Sequence, residues 1–271
     1  SDDLPLNVSR EIRQENRLVA QIRSACVKRT LDLLDRLAKD EPEKFAQFTS
    51  AFGNVLKEGI AEDGANRERI ARLLRFASTH GEDASRNVAL DDYIARMPAG
   101  QEVIWYITAD SWLAARNSPQ IESLKARGVE VLLLGERIDE WMIGYLHEYA
   151  GKQLRNAAKG ELDAADGSDA QAREQAAAAA QPVLDKLKQS LGDAVDKVQV
   201  GQRLTQSPAC IVLGEYDMAP HMQRLLREAG HDVPASKPVL EVNPQHALVQ
   251  RFATETDPAR SADLAHLLLE E

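Results

Sequence analysis

The sequence predicts an α+β protein: a helical coil segment, then a small α/β/α subdomain, then a second α+β domain. Three observations carry this. Apolar residues recur at spacings of three and four through most of the first 80 residues. Two short β-branched or leucine runs then flank a helical stretch, and strand and helix signals alternate again after an alanine-rich polar interval.

From Glu11 to Ala38, the residues Ile12, Leu18, Val19, Ile22, Cys26, Val27, Leu31, Leu34 and Leu37 form the stripe of one long amphipathic helix. Pro42 opens a second helix, because a helix start leaves the first N–H unpaired anyway. Phe45, Phe48, Phe52, Val55 and Leu56 carry it to Gly59, and a third helix fits Asn66 to Phe76. Residues 1–80 thus read as packed helices without a strand. Glu102 to Thr108 (EVIWYIT) and Val129 to Leu134 (VEVLLL), separated by a helical stretch ending at Gly128, predict a β-α-β unit with parallel strands. A helix after Arg137 covers one face of that sheet. Gly151 to Gln181, with its alanine run Ala176 to Ala180, marks a boundary as either a solvated helix or a mobile linker. Beyond Pro182 come a helix to Leu191, strands at Lys197 to Leu204 and Ala209 to Leu213, and a helix from Asp217 to Ala229. A strand at Val239 to Val242 and two closing helices complete the chain. The domain division is 1–165 (helices 1–80, α/β subdomain 91–165), a linker at 166–181, and 182–271.

The 271 residues suffice for about two domains at roughly 150 residues each. With 33 Lys and Arg against 43 Asp and Glu, the formal charge is -10, which argues against nucleic-acid and anionic-membrane partners. Cys26 and Cys210 stand far apart, with neither a CxxC knuckle nor a disulfide framework, as in a reducing cytoplasm. No apolar run reaches the ~18 residues of a membrane span. The six histidines form no HExxH, so no metal site is expected, and neither GxxxxGK[ST] nor GxGxxG is present to cradle a phosphate. The chain opens Ser1-Asp2-Asp3-Leu4 without an initiator Met, which reads as a fragment.

Three groups of residues could still carry function. Arg10 falls in the first turn of the first helix, where a cation is disfavoured unless an anion is brought to the helix start, and Gln14 shares its face. From these residues alone Arg10 reads as a surface cation paired with Glu11 or Glu15. Trp141 and Met142 follow Arg137-Ile138-Asp139-Glu140, and the stripe Ile138, Trp141, Tyr145 reads as core packing. Met218, Met222, Leu225 and Leu226 line one face of a helix, either as gap-filling core or as an adaptable partner surface.

Read as strings, the motifs say more. Leu4 to Glu11 (LPLNVSRE), Phe52 to Gly59 (FGNVLKEG), Leu73 to His80 (LLRFASTH), Tyr106 to Ser111 (YITADS) and Val131 to Trp141 (VLLLGERIDEW) resemble the middle domain of the heat-shock protein 90 chaperone family, in its bacterial branch. Arg203 to Val212 (RLTQSPACIV), Glu215 to Met218 (EYDM) and Leu240 to Phe252 (LEVNPQHALVQRF) resemble its C-terminal dimerisation domain. The resemblance implies a stress-response chaperone whose ATP-binding domain, with ATP and Mg, lies outside this chain, so that the fragment alone is inactive as an ATPase. It assigns Arg10 and Gln14 to the γ-phosphate of that absent site. It assigns Trp141, Met142, Met218, Met222, Leu225 and Leu226 to non-native client proteins at the middle/C-terminal cleft. Homodimerisation is implied through Leu264, Leu267 and Leu268, with the pairing helices incomplete here. Two departures from the family pattern are Gly135-Glu136, where Ser-Asp is common, and the alanine-rich Lys152 to Lys159 (KQLRNAAK), which leaves that sheet edge uncertain. The competing readings are a small-molecule module at the strand ends near Thr108, Asp110 and Gly135, and a purely structural dimer platform.

Overall fold

The computed structural model describes residues 17–160, 170–214, 217, 223, 230 and 237–270. The chain divides into two units, Ser1–Arg75 and Phe76–Glu271.

In the first unit, α1 (Arg17–Asp40) and α2 (Pro42–Glu62) are joined by Glu41 alone. Glu41 leaves the helical region (φ -137°, ψ 65°) because the ring of a following proline crowds it. Leu31, Leu34, Phe45 and Ile60 are buried, together with Ile70, Ala71 and Leu73 of α3 (Arg67–Leu73). A Cβ on Gly59 would lie 3.2 Å from Ile70 Cδ1, so the glycine permits the close approach of α2 to α3. Arg69 ties α3 to α1 through Asp32 (2.9 Å) and Asp35 (2.5 Å). Phe52 and Val55 are 53% and 58% exposed, so they share the helical period of Phe45 without sharing its burial.

The third helix ends at Leu73, not Phe76, and the expectation of a strand-free 1–80 is corrected. Leu74 is already extended (ψ 149°). Phe76 exchanges two backbone hydrogen bonds with Val88 (2.9 and 3.0 Å), and Ala77–Ser78 enters a sheet as β1. Pairing with a sheet overrides the helical period here.

That sheet also contains β2 (Val103–Thr108), β3 (Val131–Leu134), β4 (Glu148–Tyr149) and β5 (Lys152–Asn156), in the order β1-β3-β2-β5-β4. Central β2 runs parallel to β3, with Trp105 opposite Val131, and parallel to β5, with Val103 opposite Gln153. On one face Trp105, Ile107, Val131 and Leu133 pack with Ala115 of α5 (Trp112–Arg116), Leu124 of α6 (Glu122–Ala126) and Ile121. Residues alternate across a strand, so Ile104, Tyr106, Leu132 and Leu134 point the other way, and all are buried. Tyr93 on α4 (Leu90–Arg96) pins this layer: its hydroxyl donates to Glu130 O (2.6 Å) and accepts from the Trp105 N–H (2.9 Å). Burial pushes its pKa up to about 12. The alanine-rich 152–159 stretch supplies β5, an inner strand, and β4 takes the edge beyond it. Ala150 (φ 49°) and Gly151 (φ 75°) both adopt the left-handed conformation that closes a two-residue hairpin between β4 and β5.

The C-terminal layer holds α8 (Ala170–Leu191), β6 (Lys197–Val200), β7 (Ala209–Val212), β8 (Val239–Val242), α9 (Ala247–Thr254) and α10 (Pro258–Glu270). Its sheet runs β6-β8-β7, with β6 and β8 parallel. Residues 170–181 are helical, and Pro182 lies inside α8 instead of opening it. Leu184, Leu187 and Leu191 of α8 pack with Leu240, Val242, Phe252 and Leu268. Lys186 reaches from α8 to the carbonyls of Phe252 (2.8 Å) and Glu255 (2.6 Å), a cation at the negative end of α9.

Candidate functional site

The site that can be built side chain by side chain lies on α7 (Arg137–Ile143). The helix starts from a fixed point. Glu136 N–H donates to the Asp139 carboxylate (3.0 Å), while the Glu136 carboxylate pairs with Arg86 (2.7 Å). Just before it, a Cβ on Gly135 would fall 2.5 Å from Trp112 N, so this backbone contact admits only glycine without a shift. At the next turn the helix separates its residues by phase. Met142 is fully buried, as are Asp139 and Leu146, whereas Trp141 is 36% and Tyr145 43% exposed. The two exposed rings meet edge to face, centroids 5.4 Å apart. The expectation of Trp141 and Tyr145 as a core stripe is therefore corrected: they form an outward aromatic ledge. Met142, grouped with Trp141 at the sequence level, faces inward and offers no surface to a partner. Neighbours in sequence on a helix are turned by about 100°, which places one in the core and the other in water.

On α10, Leu268 is buried and Leu264 packs against the C-terminal core, so both serve the fold; Leu267 is 46% exposed. Arg10, Gln14, Met218, Met222, Leu225 and Leu226 lie outside the described residues. At the strand ends near Thr108, Asp110 and Gly135, the Gly135 backbone packs closely on Ser111 and Trp112. A cavity of about 540 Å³ adjoins the end of β2, lined by Thr108, Asn117, Asn156, Ile211 and Leu213. Among the described residues, no group of three His, Cys, Asp or Glu side chains could hold a metal ion, and no helix is long and apolar enough to cross a membrane.

Sequence reasoning missed Arg203, Glu241 and Glu122. Arg203 and Glu241 form an ion pair of 2.8 Å with side chains 1% and 2% exposed. Glu122 accepts hydrogen bonds from residues 205–207. Thirty-eight residues separate the first pair. No local spacing signals either contact, and only the burial of an arginine reveals it. Cys210 beside them is buried, and burial first, then Glu241, pushes its thiol up to about 12. It is no thiolate nucleophile.

Of the motif strings, YITADS and VLLLGERIDEW lie on the parallel β-α-β layer, and RLTQSPACIV ends in β7 of the second sheet. The chain is similar to Chaperone protein HtpG of Halorhodospira halophila, at 54% identity over 274 residues covering 100% of this chain and 43% of that protein. It is 53% identical to Chaperone protein HtpG of Chromobacterium violaceum and 55% identical to that of Alkalilimnicola ehrlichii, each over 274 residues and 100% of this chain, and 43% and 42% of those proteins. It thus spans less than half the length of these relatives. The Hsp90 protein family model matches residues 1–270, and with identity above one half along the whole chain, the chain belongs to the Hsp90 protein family.

Proposed function

We propose that this chain is the client-holding part of a molecular chaperone, and that in the whole protein it also completes an ATPase site and supplies a dimerisation domain. The exposed Trp141–Tyr145 ledge carries the client reading. An aromatic pair turned to solvent while Met142 and Leu146 fill the core beneath is surplus to the fold, and desolvating two rings against an unfolded chain is favourable. The relatives are named chaperone proteins, which supports the same reading. Met218, Met222, Leu225 and Leu226, whose flexible side chains suit varied partners, contribute to the same client binding. Arg10 and Gln14 act on the γ-phosphate of ATP-Mg held by a domain outside this chain, the planar guanidinium stabilising charge on the transferring group. Leu267 contributes to homodimer contacts, with Leu264 and Leu268 supporting it from the core.

The test is client binding. Replacing Trp141 and Tyr145 together by alanine should weaken capture of a permanently unfolded protein by about tenfold, the loss of roughly two ring contacts. Unchanged affinity in a folded double variant would remove the ledge from the client surface.

A further inference from the structure

Within the second unit, two groups of contacts of opposite character stand out among those that join the β1–β5 layer to the C-terminal layer. The first is dry. Arg203 sends Nε to Ala157 O (2.8 Å), Nη1 to Glu241 (2.8 Å) and Nη2 to the carbonyls of Lys159 (3.3 Å) and Gly160, so one guanidinium binds the chain leaving β5 and the middle strand β8 at once. Backbone pairing continues this seam: Leu213 N–H donates to Ala158 O, and Gly160 N–H to Leu213 O, both at 3.0 Å. Water cannot compete here, because Arg203 and Glu241 are both buried.

The second contact is wet. Thr205, Gln206 and Ser207 turn three successive N–H groups toward the carboxylate of Glu122, the first residue of α6, at 2.7, 2.8 and 3.2 Å, and the Ser207 hydroxyl adds a bond of 2.5 Å. Ser123 N–H returns a bond to Arg203 O (2.9 Å), and Gln120 Nε2, just before α6, donates to Ile211 O (3.1 Å). Glu122 and Ser207 are half-buried, while Thr205 and Gln206 are exposed. Solvent can replace each of these bonds.

We propose that residues 203–207 form a strap with a fixed end and a releasable end. The Arg203 guanidinium is the permanent pivot between the two layers, and Glu122 is a latch whose undocking, together with release of the Ser123–Arg203 O and Gln120–Ile211 O bonds, lets the α6 edge of the β1–β5 layer swing away from the C-terminal sheet. A charge-assisted cradle open to water is made and broken far more easily than a buried ion pair in which all three guanidinium nitrogens are hydrogen-bonded. Motion is thereby confined to one edge of the seam.

The experiment uses the 271-residue chain in a Cys26→Ser background. Spin labels at Arg127→Cys and Gln250→Cys, both exposed, report the distance between layers, and amide hydrogen exchange is measured in parallel. Glu122→Gln puts an amide NH₂ where the N–H groups converge. It should broaden the distance distribution and raise exchange at 205–207 about tenfold or more, the loss of bonds to a charged acceptor. Exchange at Gly160, Leu213, Leu240 and Val242 should stay at parental values. An unchanged distribution with unchanged exchange at 205–207 would show that Glu122 holds nothing. Raised exchange through Leu240 and Val242 would make it part of the sheet's core, and either result overturns the latch. Arg203→Lys, which keeps the charge but not the fork, should instead raise exchange at Gly160 and Leu213. A change restricted to 205–207 would refute the pivot.

Discussion

Truncating Met142 to alanine separates the two faces of α7. The side chain is fully buried, so the change removes Cγ, Sδ and Cε from the packed interior. At about 0.8 kcal/mol per buried methylene-sized group, the transfer loss is about 2.4 kcal/mol. The residual cavity raises this to about 3 kcal/mol, inside the ~2–5 kcal/mol measured for such truncations. Tyr145→Ala, at a side chain 43% exposed, forfeits mainly its edge contact with Trp141, about 0.5–1.5 kcal/mol. Urea denaturation followed by near- and far-ultraviolet circular dichroism, with equal slopes for both variants, gives the two differences. Client capture by Met142→Ala, measured where the variant remains folded, should match the parent. A Met142→Ala loss under about 0.5 kcal/mol, or a Tyr145→Ala loss as large as that of Met142→Ala, would refute the assignment of inner and outer faces.

Three more outcomes follow from named side chains. On α10, Leu268→Ala should cost about 2–5 kcal/mol and Leu267→Ala under about 0.5 kcal/mol by the same denaturation assay, since only the former fills the C-terminal core. Although burial pushes the Glu122 carboxyl up, the N–H groups of Gln206, Thr205 and Ser207 and the Ser207 hydroxyl outweigh it, and its pKa lies below the ordinary 4.5. A depressed folded value means that its stabilisation is complete above that range and is lost as pH falls through the folded pKa, so the gap in melting temperature between parent and Glu122→Gln should close on acidification from pH 6 to pH ~3. In a full-length relative of this chain, the substitution equivalent to Arg10→Ala should cut ATP turnover by about 10³-fold or more while leaving ATP affinity near parental; an unaltered rate would exclude the arginine from the reaction.

The long elements were legible because they repeat a period. α1 and α2 show three-and-four spacing over many turns, and β2 and β3 are unbroken runs of large apolar residues buried on both faces. The elements that escaped are too short to have a period. β1 and β4 hold two residues each, and the hairpin between β4 and β5 turns on Ala150-Gly151, where an Asn-Gly would have announced it. α3 ends early because Phe76 has a strand partner at Val88 that no local pattern shows. Of the candidate site, the position of Trp141 was visible in its motif, but which side of α7 faces water was not. Asp139, a polar residue, takes an inward position as part of the helix cap, which disguises the inner face. Arg203, Glu241 and Glu122 were illegible in principle, since each contact joins residues that only the tertiary fold brings together.

The strand order also sets a timetable. The contacts within α1, α2 and α3 join nearby residues and can form as soon as the chain exists, whereas central β2 cannot pair with β5 until Gln153 has been made, nor β6 with β8 until Val239 has. Chains dominated by such distant parallel pairing fold slowly and keep strand edges and apolar runs such as VIWYIT open while they wait. During synthesis this segment therefore passes through the exposed, aggregation-prone condition that chaperones exist to protect against.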